Sequence, residues 1–140
     1  MEIKKCNFNY NDNHRILLFL IVCIPLRFLI VGIAFYLSYK KNPIISSDTI
    51  FDKLLSNHFF KGIFYLFTLT IGIGFINTFI NNKKIGRFGG KVYWSNLRLV
   101  HGINYLLYTY LAINNYKNAF LILLFDVLIG IFGFILNYFL

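Results

Sequence analysis

The stretch Ile16–Leu37, ILLFLIVCIPLRFLIVGIAFYL, decides the reading of this chain. About 20 apolar residues at ~1.5 Å per residue reach across a ~30 Å hydrocarbon core. This run has the length, and one arginine, Arg27, is its only charged residue. Three more runs repeat the pattern: Phe59–Ile80, Trp94–Ile113 and Ala119–Leu140. Hydrophobic residues make up 58% of the 140 and charged residues 14%. A soluble domain carries roughly a quarter charged residues, so composition excludes an ordinary water-soluble globule. The expected fold is all-α, a four-helix transmembrane bundle forming one integral membrane domain over 1–140. Residues 1–15 are a short polar arm. The arm is basic, but Ile16–Leu37 is too long for a signal peptide, carries Arg27 and has no small-residue cleavage site after it, so it reads as a retained first helix.

The polar residues inside the runs line up in depth. Arg27 is ~16 Å below the face where the first run begins, and Asp126, approached from the opposite face, is ~20 Å from that same face. Asn104 falls at ~15 Å by the same count. Asp126 is the only acidic residue in any run. An unpaired arginine or aspartate at mid-helix costs roughly 2.5–3.5 kcal/mol, and pairing is the cheapest remedy. The expectation is an Arg27–Asp126 ion pair facing the bundle interior, with Asn104 and His101 completing a network. Three readings stay open. The pair fixes helix register, or it forms a proton- or ion-handling site, or Asp126 pairs with Arg98 or His101 instead.

Arg98, His101, Tyr105 and Tyr108 recur at three- and four-residue spacing and share one helix face. Arg98 belongs with the buried polar groups Arg27, His101, Asn104 and Asp126, and its place near the membrane surface would also let its stem carry the guanidinium to headgroups. His101 suits a packing role; a haem would want a second axial ligand, and no other histidine lies within a run. Gly72, Gly74, Gly130 and Gly133 are small residues that let helices approach, within the chain or between copies. Thr70-Ile71-Gly72-Ile73-Gly74 has the residue pattern of a potassium-channel filter, yet it lies inside an unbroken apolar run, where helix packing explains it better.

Cations gather outside the runs or at their ends. Lys4, Lys5, Arg15, Lys83, Lys84, Arg87 and Lys91 fall on one side, and Lys40, Lys41, Lys53, Lys61 and Lys117 on the other. The larger group predicts that the N and C termini are both cytoplasmic. The net charge of +9 then serves anionic lipid headgroups, with no folded basic face for nucleic acid. Tyr93 and Trp94 are expected at the interfacial aromatic belt. The partners expected are membrane lipids, with a homo-oligomer open.

Sites for covalent chemistry are scarce. Cys6 and Cys23 give no disulfide framework and no metal spacing. Gly86-x-x-Gly89-Gly90-Lys91 lacks a phosphate-loop pattern. No catalytic triad stands at workable depth, so an enzyme, a cofactor and a metal are not expected.

The stretch Gly89-Gly90-Lys91-x-x-Trp94-x-x-x-Arg98-x-x-His101-x-x-x-Tyr105, with Leu124–Gly130 and Cys23–Arg27, resembles a family of small uncharacterised four-helix membrane proteins of giant DNA viruses and algae. The likeness covers about two thirds of the chain. Tyr93 stands where that pattern has Trp. The resemblance implies a membrane location and a viral origin, with no known activity. The expected role is a structural or interaction component of a viral or intracellular membrane. The alternative is a small ion- or proton-conducting protein using Arg27, Asp126 and His101.

Overall fold

The computed structural model describes residues 16–39, 58–83 and 95–138, and these are all-helical. Four helices form an antiparallel bundle: α1 (Ile16–Tyr39), α2 (His58–Ile80), α3 (Leu97–Ile113) and α4 (Phe120–Tyr138). Helix α2 packs on α3, α3 on α4, and α4 on α1. Three of them, α1, α2 and α4, are long and apolar enough to cross a membrane. Helix α3 differs from the expected third span. It starts at Leu97, after a turn at Ser95–Asn96, and has 17 residues. Its polar residues and its length set it apart from the other three. Tyr93 and Trp94, the expected aromatic belt, lie outside the described residues.

Two backbone devices position the site. The first is in α1. Pro25 has no N–H, and its ring crowds the carbonyl four residues back. The helix widens into a π-turn over Phe19–Cys23, and the Ile24 N–H donates to the Phe19 carbonyl. Such a turn rotates the following residues about the helix axis relative to a regular helix, and Arg27 follows it.

The second device ends α2 and α3 in the same way. Asn82 has φ 48° and Asn115 has φ 62°. The Asn82 N–H bonds the Phe79 carbonyl and the Lys83 N–H the Thr78 carbonyl; Asn115 bonds Ala112 and Tyr116 bonds Leu111 in the same pattern. This is the paired capping of a left-handed terminal residue, which asparagine tolerates better than other non-glycine residues. After Asn115 the chain turns directly into α4.

The α2–α3 contact is close. A Cβ on Gly72 would stand 3.1 Å from the Gly102 carbonyl oxygen, and one on Gly102 would stand 3.0 Å from the Gly72 oxygen. Small residues permit this backbone approach. Gly72 was expected in that role; Gly102 was not. Gly130 and Gly133 also face neighbours, Arg27 and Leu97 respectively. Among the described residues Gly74 has no packing neighbour: it faces outward, and a Cβ there would meet nothing.

The core gathers Ile30, Val31, Ala34 and Leu37 of α1 with Phe64, Tyr105, Tyr108, Ala112, Leu123 and Val127. Large apolar side chains cover the outside, among them Ile21, Phe28, Leu66, Phe67, Phe125 and Phe132. A continuous apolar exterior of this kind marks a surface made for something other than water. On α3 the usual order is reversed. Val100, Ile103 and Leu107 point out, while Arg98, His101, Asn104 and Thr109 are buried.

Candidate functional site: a carboxylate shared by three helices

Asp126 is 1% exposed and is the centre of the site. Helix α4 carries it, one helical turn after Leu123 and four residues before Gly130. Arg27 of α1 donates from Nη1 to Asp126 Oδ2 at 3.0 Å. His101 Nδ1 lies 2.6 Å from Oδ1, and Asn104 Nδ2 donates to the same Oδ1 at 3.2 Å. Groups from α1, α3 and α4 therefore meet on one carboxylate. Both oxygens are engaged, which is what a buried carboxylate requires.

Arg27 has further contacts. Its guanidinium lies 5.8 Å from the centre of the Phe75 ring of α2, within cation–π range. Its Nη1 is 3.3 Å from His101 Nδ1. The His101 and Phe75 ring centroids are 5.7 Å apart, so α2 closes the cluster with an aromatic wall. Gly130 makes room for Arg27: a Cβ there would stand 3.2 Å from Nη1. A larger side chain on this turn would displace the guanidinium from the carboxylate.

The contact of His101 with Asp126 has a chemical consequence. At 2.6 Å a proton lies between Nδ1 and Oδ1, because two bare lone pairs would repel at that distance. When it rides on Nδ1, Asp126 is the anion and Arg27 is its counter-ion. When it rides on Oδ1, Nδ1 presents a lone pair, and Arg27 Nη1 is placed at 3.3 Å to donate to it. One arginine thus faces the acceptor of either state.

The depth reading placed Arg27, Asp126 and Asn104 together, and the structure brings them together. His101, expected to complete the network, does so as a direct hydrogen-bond partner of Asp126. Arg98 is buried, as its place among the buried polar groups required. It is 5% exposed and donates to the Lys83 carbonyl at the end of α2. Held there, it is not free to snorkel outward; a buried guanidinium needs carbonyl acceptors close by, and the α2 terminus supplies one.

A second polar contact was not foreseen. The Thr68 and Thr109 hydroxyls are 2.9 Å apart across α2 and α3. Each also reaches a carbonyl of its own helix, Tyr65 for Thr68 and Tyr105 for Thr109. With one proton apiece, the pair can run in either direction. Phe75 was missed as well, since an aromatic in an apolar run gives no local sign of standing beside a cation. Among the described residues no group of three or more His, Cys, Asp or Glu side chains could hold a metal ion. The chain matches no protein-family model, no curated protein and no solved structure.

Proposed function

We propose that this chain is a multi-pass membrane protein with a structural or interaction role, its four helices held in one arrangement by the Asp126 cluster. One observation carries the reading: a single carboxylate accepts from groups on α1 and α3 while itself belonging to α4. The ion pair fixes rotation and register of these helices together, since a slip of one residue on any of them would separate charge from counter-charge. An apolar exterior requires such internal direction, because lipid contact alone favours no particular helix face.

In this reading all four helices cross the bilayer. Helix α3, at 17 residues, stands at the short end of the spanning range of ~17–25. The termini lie on the side with more cations, the cytoplasmic one. Lipids are the partners that the outer surface fits. A place in a viral or intracellular membrane follows from the sequence resemblance alone.

Alkaline extraction of membranes from expressing cells, with vesicle flotation, tests the membrane assignment; release into the soluble fraction would refute it. Accessibility of single cysteines placed in the loops tests the topology. Labelling of positions 45 and 117 from the side that holds the N terminus would refute four spans.

A further inference from the structure

We propose that Asp126 and His101 form a proton-exchange site, and that the buried face of α3 makes it part of a proton-conducting path through the bundle. The inference rests on the membrane reading and adds an activity to it. Three observations support it.

The first is the pair itself. Suppose His101 carries protons on both ring nitrogens and Asp126 is the anion. The Nδ1–H bond breaks, the Oδ1–H bond forms, and the electron pair stays on Nδ1. The products are a neutral imidazole and a neutral carboxylic acid, with one proton moved and total charge unchanged. The 2.6 Å separation lets this happen without moving either side chain.

The second is the double placement of Arg27. Its Nη1 meets Oδ2 at 3.0 Å and Nδ1 at 3.3 Å. It pairs the anion in one state and can hydrogen-bond the bare imidazole nitrogen in the other. A cluster built only as a lock needs the first of these. Among the described residues, Tyr105 of α3 also faces the pair and, one turn from Arg27 on α1, Cys23 lies near Arg27. Helix α2 contributes the uncharged Phe75 ring.

The third is a run of buried polar side chains. Arg98, His101, Asn104, Tyr105, Tyr108 and Thr109 are all buried on one face of α3. They extend over ~16 Å at ~1.5 Å per residue, about half of a ~30 Å core. Past the carboxylate along α3 come three buried hydroxyl-bearing residues, Tyr105, Tyr108 and Thr109, and the Thr109 hydroxyl meets that of Thr68. Hydroxyls both donate and accept, which is what relaying a proton requires.

The test uses the full chain in lipid vesicles with an entrapped pH-sensitive dye and a potassium diffusion potential. Flotation and protease protection establish insertion first. Wild type is expected to acidify the lumen well above protein-free vesicles, Asp126→Asn to lose the signal, and Thr109→Val to reduce it several-fold. Thr109→Val leaves the ion pair untouched, so it stays informative where Asp126→Asn fails to fold. Inserted wild type with no flux above empty vesicles would overturn the conduction proposal and leave the membrane reading standing. Wild-type flux in Thr109→Val would overturn the path. Protein that does not float with the vesicles refutes the membrane reading instead.

Discussion

Replacing Asp126 by Asn and Arg27 by Met, singly and together, measures what the ion pair contributes. Asp126→Asn keeps the volume and retains an oxygen for His101 and Asn104. It also turns the Oδ2 position into an amide NH₂ that faces Arg27 Nη1 at 3.0 Å. Two donors then oppose one another, and the guanidinium, 15% exposed, has lost its counter-ion. Removing one member of a buried pair costs about 3–5 kcal/mol, and that is the expected loss. Arg27→Met leaves the carboxylate with two of its three donors, His101 and Asn104. The expected cost is smaller, about 2–3 kcal/mol, within the range for leaving a buried group partly unsatisfied.

The double variant has neither charge, and methionine fills an irregular gap well. Replacing a buried pair by uncharged groups is often close to neutral, so the double variant should recover most of the larger single loss. The coupling between the sites, the two single losses less the loss left in the double variant, is then about 3.5 kcal/mol or more, beyond the ~0.6 kcal/mol average of interhelical hydrogen bonds in membranes. Reversible unfolding in mixed micelles, followed by helicity, gives the three values. Additive losses would mean that Arg27 and Asp126 do not stabilise one another, and the proposed lock would fail.

Other substitutions test separate parts of the fold. Gly102→Ala should destabilise by about 1–3 kcal/mol, the usual cost of overpacking, because its Cβ would meet the Gly72 oxygen at 3.0 Å and Ile76 Cγ1 at 2.6 Å. Gly74→Ala, where a Cβ meets nothing, should instead stabilise by roughly 0.5–1 kcal/mol; both are read in the same unfolding assay. Asn115→Gly should be neutral or stabilising and Asn115→Ala should cost about 1–2 kcal/mol, since the residue has φ 62° and alanine resists the left-handed region by that amount. Hydrogen exchange at the Tyr116 amide, which closes the cap on Leu111, would rise in the alanine variant alone.

Arg27 and Asp126 were legible because hydropathy fixes depth. Asp126 is the single acidic group in the runs, and Arg27 matches it in depth, so their pairing was the simplest way to avoid exposing either. Asn104 followed by the same count. What depth could not supply was rotation about each helix axis and the order of neighbours. Gly102 shows the difference. In the sequence it is as many residues from the start of its run at Trp94 as Gly72 is from the end of its run at Ile80, so a depth match was present. Only the adjacency of α2 and α3 makes that match a contact. Phe75 and the Thr68–Thr109 pair needed the same knowledge. Arg98 was legible as a buried residue but its acceptor was not, because only the position of the α2 end brings the Lys83 carbonyl to it.

The short third helix and the buried cluster have one cause. A helix that carries Arg98, His101, Asn104 and Thr109 cannot turn that face to an apolar surrounding, so α3 must be covered on its polar side by other helices. It is: α2 packs on it through Gly72 and Gly102, and α4 meets it through Asp126. Helix α1, by contrast, packs on α4 rather than on α3, and it reaches the centre by the length of the Arg27 side chain. This asymmetry makes α1 the helix whose position depends most on a single polar side chain. A variant that shortens the reach while keeping the charge, Arg27→Lys, should therefore loosen α1 first. Faster hydrogen exchange confined to Ile24–Ala34, with α2 and α3 unchanged, is the expected pattern. Uniform loosening of all four helices would show instead that the cluster supports the bundle as one unit and that α1 has no separate dependence on Arg27.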